Sequence, residues 1–346
     1  MSKLPSVRDV AAAAGVSIAS VSRALNGSGP VSGPMRERIA QAVCDTGYTP
    51  NFSAKHLRIG RSKTIGLMVS NIANPFMASI FAATERHLHR AGFSVLAAST
   101  YNDPQREQEL LLLYENRRLE GLIAYPAREG VPRAQNPFAH FSLPLVVIDR
   151  EIDYDCDTVF MDHRSGVRQA VDYLCTLGHR RIALLGPNEA LRPGREKLLG
   201  WQDALVQRGI DPDPRLVCML KSAIDPPEEQ MAEMLRLPAP PTALVALGMH
   251  ILSGALRVVR RAGLRIPRDF SVIGIGTPEV FAMAETPLTT LRFNLDQQAR
   301  LAADLMLERL GGYNGPRRSL TVPLDLVLGE SCAAPRAITR KQATEH

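Results

Sequence analysis

The sequence predicts an α/β protein in two parts, a small all-α helix-turn-helix module followed by a two-subdomain core of doubly wound parallel sheets. Three observations predict it. An alanine-rich helix runs into a glycine and restarts at once behind a serine within DVAAAAGVSIASVSRALN, residues 9–26. From residue 64 onward, short apolar runs alternate with helix-length segments, the pattern of parallel strands joined by right-handed crossovers. The first 63 residues hold nine basic residues against three acidic ones, a surplus of six that equals the whole-chain surplus of 41 over 35, so the remainder is neutral on balance.

At the amino-terminal end, Gly15 supplies the positive φ of a tight corner, and the Ser17 hydroxyl is placed to cap the second helix. Val16 and Val21 then face a small core, while Ile18, Ala19 and Arg23 lie near the start of that helix, where a recognition helix meets base edges. A basic module on a neutral body is the footprint of phosphate contact by one end of a molecule. A third helix is expected over 34–46, closed by Gly47 with Pro50 beyond. The segment 52–58 forms one or two helical turns at most, too short to be stable alone, and 59–63 reads as a linker.

Strands are predicted at 64–70, 94–99, 121–124, 145–148, 158–161, 182–185, 216–219, 243–247 and 271–275, with helices including 76–90, 164–177, 195–208 and 251–261. The alternation occurs twice, broken near Asp162, which gives two subdomains and a cleft; ligands in such folds bind beyond the carboxyl ends of the strands. The expected domains are 1–50 (DNA binding), 51–63 (hinge helix and linker), 64–331 (core) and a polar tail, 332–346. Within the core, 64–161 plus 293–322 form one subdomain and 162–292 plus 323–331 the other, with crossings at Asp162 and at 291–294.

Other classes fit poorly. No apolar run approaches the ~20 residues of a membrane-spanning helix, and the opening MSKLPSVRDV lacks the apolar stretch of a secretory signal, so the expectation is a cytoplasmic protein without membrane association. Five scattered cysteines without a CxxC pair read as reduced thiols. GxGxxG after a strand, GxxxxGK[ST], GxSxG and HExxH are all missing, and His87 and His89 point to different faces of one helix, which argues against an enzyme, a cofactor or a metal site.

The segments DVAAAAGVSIASVSRALNG, VSGPMRERI, GYTPNFSAKHLR, IGLMVSNIANPF, GLIAYPA, LGHRRIALLGP, REKLLGWQDAL, GLRIPRDFSVIG and PLTTLR together resemble the LacI family of the lactose and purine repressor type, over nearly the whole chain. The resemblance implies a periplasmic-binding-protein-like core. It also implies a homodimeric transcription regulator, usually a repressor, that binds a pseudo-palindromic double-stranded operator and responds to a small-molecule effector; an activator remains the alternative. By position it implies Ile18, Ala19 and Arg23 as major-groove readers, and Ser17, Ser22 and Asn26 near phosphates. Asn51, Ala54 and Leu57 fall in a hinge helix whose paired leucines pry open a central base step, with helix packing as the other role for Leu57. The tail has no leucine heptads for a tetramerisation bundle, so a dimer is expected.

For the effector, the resemblance points to Phe76 as a stacking position or a core side chain, and to Asp149 and Arg150 as polar contacts. Lys197 stands where the family commonly has arginine, keeping the charge without the bidentate fork; Arg195 contributes or faces solvent. Two departures stand out. The family's usual Asn-Asp pair after the 243–247 strand is Gly248-Met249, and its Asp-Asp pair after the 271–275 strand is Gly276-Thr277. Their loss removes acceptors and leaves Lys197, Arg150 and His250 less opposed, which favours a sugar acid or other anion over a neutral sugar. A pocket without a physiological ligand is the alternative.

Overall fold

The computed structural model describes residues 5–26, 29–48, 61–221, 224–276 and 286–336. The chain divides into two compact units, Met1–Ser62 and Lys63–His346.

The first unit contains α1 (Val7–Ala14), α2 (Ile18–Asn26) and α3 (Gly33–Thr46). Asp9 starts α1 by accepting the Ser6 backbone N–H at 2.7 Å and the Ser6 hydroxyl at 2.6 Å. Gly15, at φ 63°, ends it in the left-handed conformation, and the Val16 N–H returns to the Ala11 carbonyl at 3.1 Å. Gly47 closes α3 at the same φ of 63°. Val10, Ala11, Ala14, Val21, Ile39 and Ala42 are buried between the three helices, and their small size is what allows the helices to pack closely.

In the second unit the order is β1 (Thr64–Val69), α4 (Pro75–Arg90), β2 (Ser94–Ser99), α5 (Pro104–Asn116), β3 (Gly121–Ala124), β4 (Leu145–Ile148) and β5 (Asp157–Met161). There follow α6 (His163–Thr176), β6 (Ile182–Pro187), α7 (Arg192–Gln207), β7 (Val217–Leu220), α8 (Glu228–Arg236), β8 (Ala243–Ala246), α9 (Met249–Arg261) and β9 (Ser271–Ile275). The chain closes with β10 (Thr289–Phe293), α10 (Leu295–Leu310), β11 (Ser319–Val322) and β12 (Leu324–Val327).

Two six-stranded sheets result, in the orders β11-β5-β4-β3-β1-β2 and β12-β10-β9-β8-β6-β7. Every pairing is parallel except β10 with β12. The runs LVVI, GLIA, ALVA and SVIGI are buried at every position, as strands covered on both faces must be. The chain passes between the sheets three times, at Asp162, Asn294 and Pro323. The first two crossings share one local device: Asp162 caps α6 by accepting the Ser165 N–H at 3.1 Å, and Asn294 caps α10 by accepting the Gln297 N–H at 3.0 Å.

The sequence reading had no strand beyond 275, although its subdomain bounds already changed over between 322 and 323, where the third crossing falls. β11 and β12 are edge strands of four residues, each with a single buried position, so they lack the continuous apolar run that marks a central strand. Among the described residues, no helix is long and apolar enough to cross a membrane.

Candidate DNA-reading face and ligand cleft

On the first unit, Ser17 sits just before α2 and its Oγ accepts the Ser20 backbone N–H at 3.1 Å. Ser17, Ile18, Ala19 and Arg23 are exposed, Ile18 to 46%, and Ser22 is half-buried. The Arg23 guanidinium rests lightly on its own helix, Nε 3.4 Å from the Ala19 carbonyl and Nη2 3.5 Å from Ser20 Oγ, and forms no salt bridge among the described residues. A cation so weakly held loses little on turning to a base edge or a phosphate. Asn26 ends α2. Its side chain, together with Asn51, Ala54 and Leu57, lies outside the described residues.

The cleft of the second unit is a cavity of about 300 Å³ built from the carboxyl ends of strands in both sheets. Ser70 and Asn71 follow β1, Tyr125 follows β3, Asp149 and Arg150 follow β4, Asn188 follows β6, Leu247 and Gly248 follow β8, and Phe293 ends β10. Phe76, Asp149, Arg150, Lys197 and His250 all line it, so the fold brings together five of the seven effector residues read from the sequence. Thr277 lies outside the described residues.

Arg195 does not line this cavity. Two residues from Lys197 on α7, it is turned to another face, where it pairs with Glu129 at 3.3 Å and Glu151 at 2.7 Å. Its neighbour Arg192 donates its backbone N–H to Glu129 at 2.8 Å and sets Nε 3.3 Å from Glu151. Glu129 and Glu151 follow strands of the first sheet while α7 belongs to the second, so this cluster ties the two halves of the core together. Burial raises the Glu129 carboxyl, against the pull of backbone N–H groups and neighbouring arginines.

Inside the cleft, Asp149 is buried at φ 54°. Its Oδ2 lies 2.7 Å from His163 Nε2, and its Oδ1 accepts the Met161 N–H at 3.2 Å and Arg192 Nη1 at 3.4 Å. Burial by itself would raise the Asp149 carboxyl; the His163 contact, with Arg150 and the Met161 N–H, holds it below the usual carboxylate range. Burial lowers the His163 imidazole, and its Nδ1 has no hydrogen-bond partner, which fits a neutral ring donating from Nε2. Arg150 donates Nε to the Pro126 carbonyl at 3.1 Å and Nη1 to the Asp149 carbonyl at 2.8 Å.

Lys197 differs from both. It is buried, with 6% of its surface exposed, and makes no hydrogen bond or ion pair among the described residues. Its Nζ lies 5.9 Å from the Phe293 ring centre. Burial pushes the ammonium down to about 8, with Asp149 pulling it up and Arg150 pushing it down. Phe293 also meets Phe76 edge-on, at 4.9 Å between ring centres, and His163 at 5.8 Å. Sequence reasoning missed Phe293, His163, Tyr125 and the rim glutamates. For Phe293 and His163 a signal existed, since each borders a predicted crossing and crossing residues of such a fold must flank the cleft.

Residues 171–332 match the periplasmic binding protein-like domain, and residues 6–51 match the family "Bacterial regulatory proteins, lacI family". The chain is 29% identical over 330 residues to the ribose operon repressor of Haemophilus influenzae, covering 95% of this chain and 98% of that protein. It is 30% identical over 338 residues to the HTH-type transcriptional regulator CelR of Thermobifida fusca, covering 94% and 98% respectively. Among solved structures, the lac repressor dimer bound to operator and the anti-inducer ONPF superposes with a TM-score of 0.85 at 26% identity, over 96% of this chain and 100% of that one.

Proposed function

Because the chain belongs to the lacI family of bacterial regulatory proteins, it is a DNA-binding transcriptional regulator rather than an enzyme, and we propose a finer reading: a cytoplasmic, homodimeric repressor whose cleft binds an anionic effector. The lac repressor relative is a dimer on an operator, and a two-fold pair of reading helices calls for a pseudo-palindrome with half-site centres about 10 base pairs apart. Ile18, Ala19 and Arg23 read the bases, Ser17, Ser22 and Asn26 approach phosphates, and Asn51, Ala54 and Leu57 form the hinge contacts.

Lys197 carries the anionic reading. A buried ammonium with no hydrogen-bonded or ion-paired partner is unfavourable, and a ligand carboxylate or phosphate supplies the missing one. Such a ligand shifts the regulator only through its differential affinity for two states of the core; a coupling of about 1–3 kcal/mol changes operator affinity roughly 5- to 150-fold. The test is operator titration with and without anionic metabolites. Lys197→Met abolishes the response and leaves operator affinity without effector near that of the unaltered protein. A mutant that still responds fully to an anion, or an unaltered protein that responds to neutral sugars alone, overturns this reading.

A further inference from the structure

Among the described residues most of the wall of the cleft is hydrocarbon, and its charged side chains are mainly cationic. Of the side chains lining it, Asp149 is the one carboxylate among the described residues, against Arg150, Lys197 and Lys221. Both Asp149 oxygens are engaged by His163, Met161 and Arg192. Three of the four lining amides repeat the pattern, while the Asn102 side chain makes no hydrogen bond among the described residues. Asn71, Asn74 and Asn188 each commit the carbonyl oxygen to a local turn or cap, accepting the N–H of Ala73, Phe76 and Ala190 at 2.9, 3.1 and 2.9 Å, so what remains for a ligand is the NH2 group.

A sugar hydroxyl both donates and accepts, and a site that binds many hydroxyls needs free acceptors in proportion. Among the described residues the side-chain acceptors without a local partner are few: Asn102 Oδ1, His163 Nδ1 and a handful of hydroxyls. After β8 the cleft presents Gly248 and Met249, and the wall is completed by Phe76, Phe293, Leu247 and Ile275. A polyhydroxylated body set against these groups would leave most of its hydroxyl protons without acceptors, which is unfavourable, whereas a hydrocarbon body gains by leaving water. The cavity of about 300 Å³ lies at the small end of ligand sites.

We infer that the effector is a small carboxylate with an apolar, ring-sized body, its carboxylate on Lys197 and its body between Phe76, Phe293 and Met249, rather than a sugar acid. This rests on the anionic reading above and narrows it.

The test is calorimetric titration of the full-length protein near neutral pH with phenylacetate, gluconate, phenylacetamide and glucose. Phenylacetate binds at least about tenfold more tightly than gluconate, phenylacetamide and glucose give no measurable binding, and Lys197→Met weakens phenylacetate to the level of the amide. Met249→Asp adds an acid in the first turn of α9, where the helix dipole favours it, and reverses the preference toward gluconate. Gluconate binding as tightly as phenylacetate, with loss in Lys197→Met, overturns the apolar body and leaves the anionic reading standing. Glucose binding that Lys197→Met does not alter overturns both. No binding by any of the four at millimolar concentration overturns the inference as well.

Discussion

In the reading unit, Ile18, Ala19 and Arg23 stand in solvent on one helix, and the bonds that hold them join residues three or four apart. In the cleft, Asp149, Arg150 and Lys197 are buried, and the first two, after β4, meet the third from α7, an element far away in sequence. Side chains of the first kind can be exchanged without disturbing the fold. Those of the second kind line the cleft, and Asp149 and Arg150 hold the core together as well, because each buried charge is tolerable only through its neighbours.

Asp149→Ala should sharpen that contrast most. It takes the buried carboxylate of the cleft away from His163 and Arg192 and leaves Arg150 and Lys197 less opposed, and removing one member of a buried ionic cluster costs about 3–5 kcal/mol. Denaturant unfolding followed by the fluorescence of Trp201, the single tryptophan and fully buried, reads the core directly. A midpoint unchanged within error would make the cleft as separable as the reading face.

A second expectation concerns Glu107, buried on α5, whose carboxylate accepts the Ala127 N–H at 2.5 Å. Burial raises it from 4.5 to about 7. The folded state therefore binds a proton that the unfolded chain has released, so stability falls as pH rises from about 4.5 to about 7 and is level above that. The loss is roughly 3 kcal/mol at full effect. Glu107→Gln should flatten this slope, and an unchanged slope in the variant would assign it to other groups.

The smallest effect on the fold belongs to Arg23→Ala. Core unfolding should stay where it is, while binding to the operator weakens by about 1–3 kcal/mol and base preference at one position relaxes. Equal loss on operator and random duplex would make Arg23 a phosphate contact. A lowered core midpoint would break the contrast from the other side.

The reading unit was legible residue by residue, since Gly15, Ser17 and Gly47 act within a few positions of themselves. Most central strands were legible too, from runs such as LVVI and SVIGI that stay apolar throughout. The edge strands β11 and β12 were not, because half-solvated strands of four residues carry too little apolar signal. In the cleft, the sequence singled out Lys197 and Phe76 but grouped Arg195 with them, since two positions along a helix look adjacent on paper and diverge in space.

What the sequence determined by itself was local: caps, corners, buried strands, the basic reading module and the absence of acidic side chains after β8. The tertiary structure decided which charges meet. Asp149 and His163 are joined only because the chain crosses between sheets at Asp162, and the Asp149 carboxylate is engaged by His163, Met161 and Arg192 while Lys197, on the same helix as Arg192, has no partner among the described residues. Partnership between buried charges depends on distances of a few ångströms between segments far apart in sequence, and the order of residues along a chain does not encode those distances until the sheets have formed.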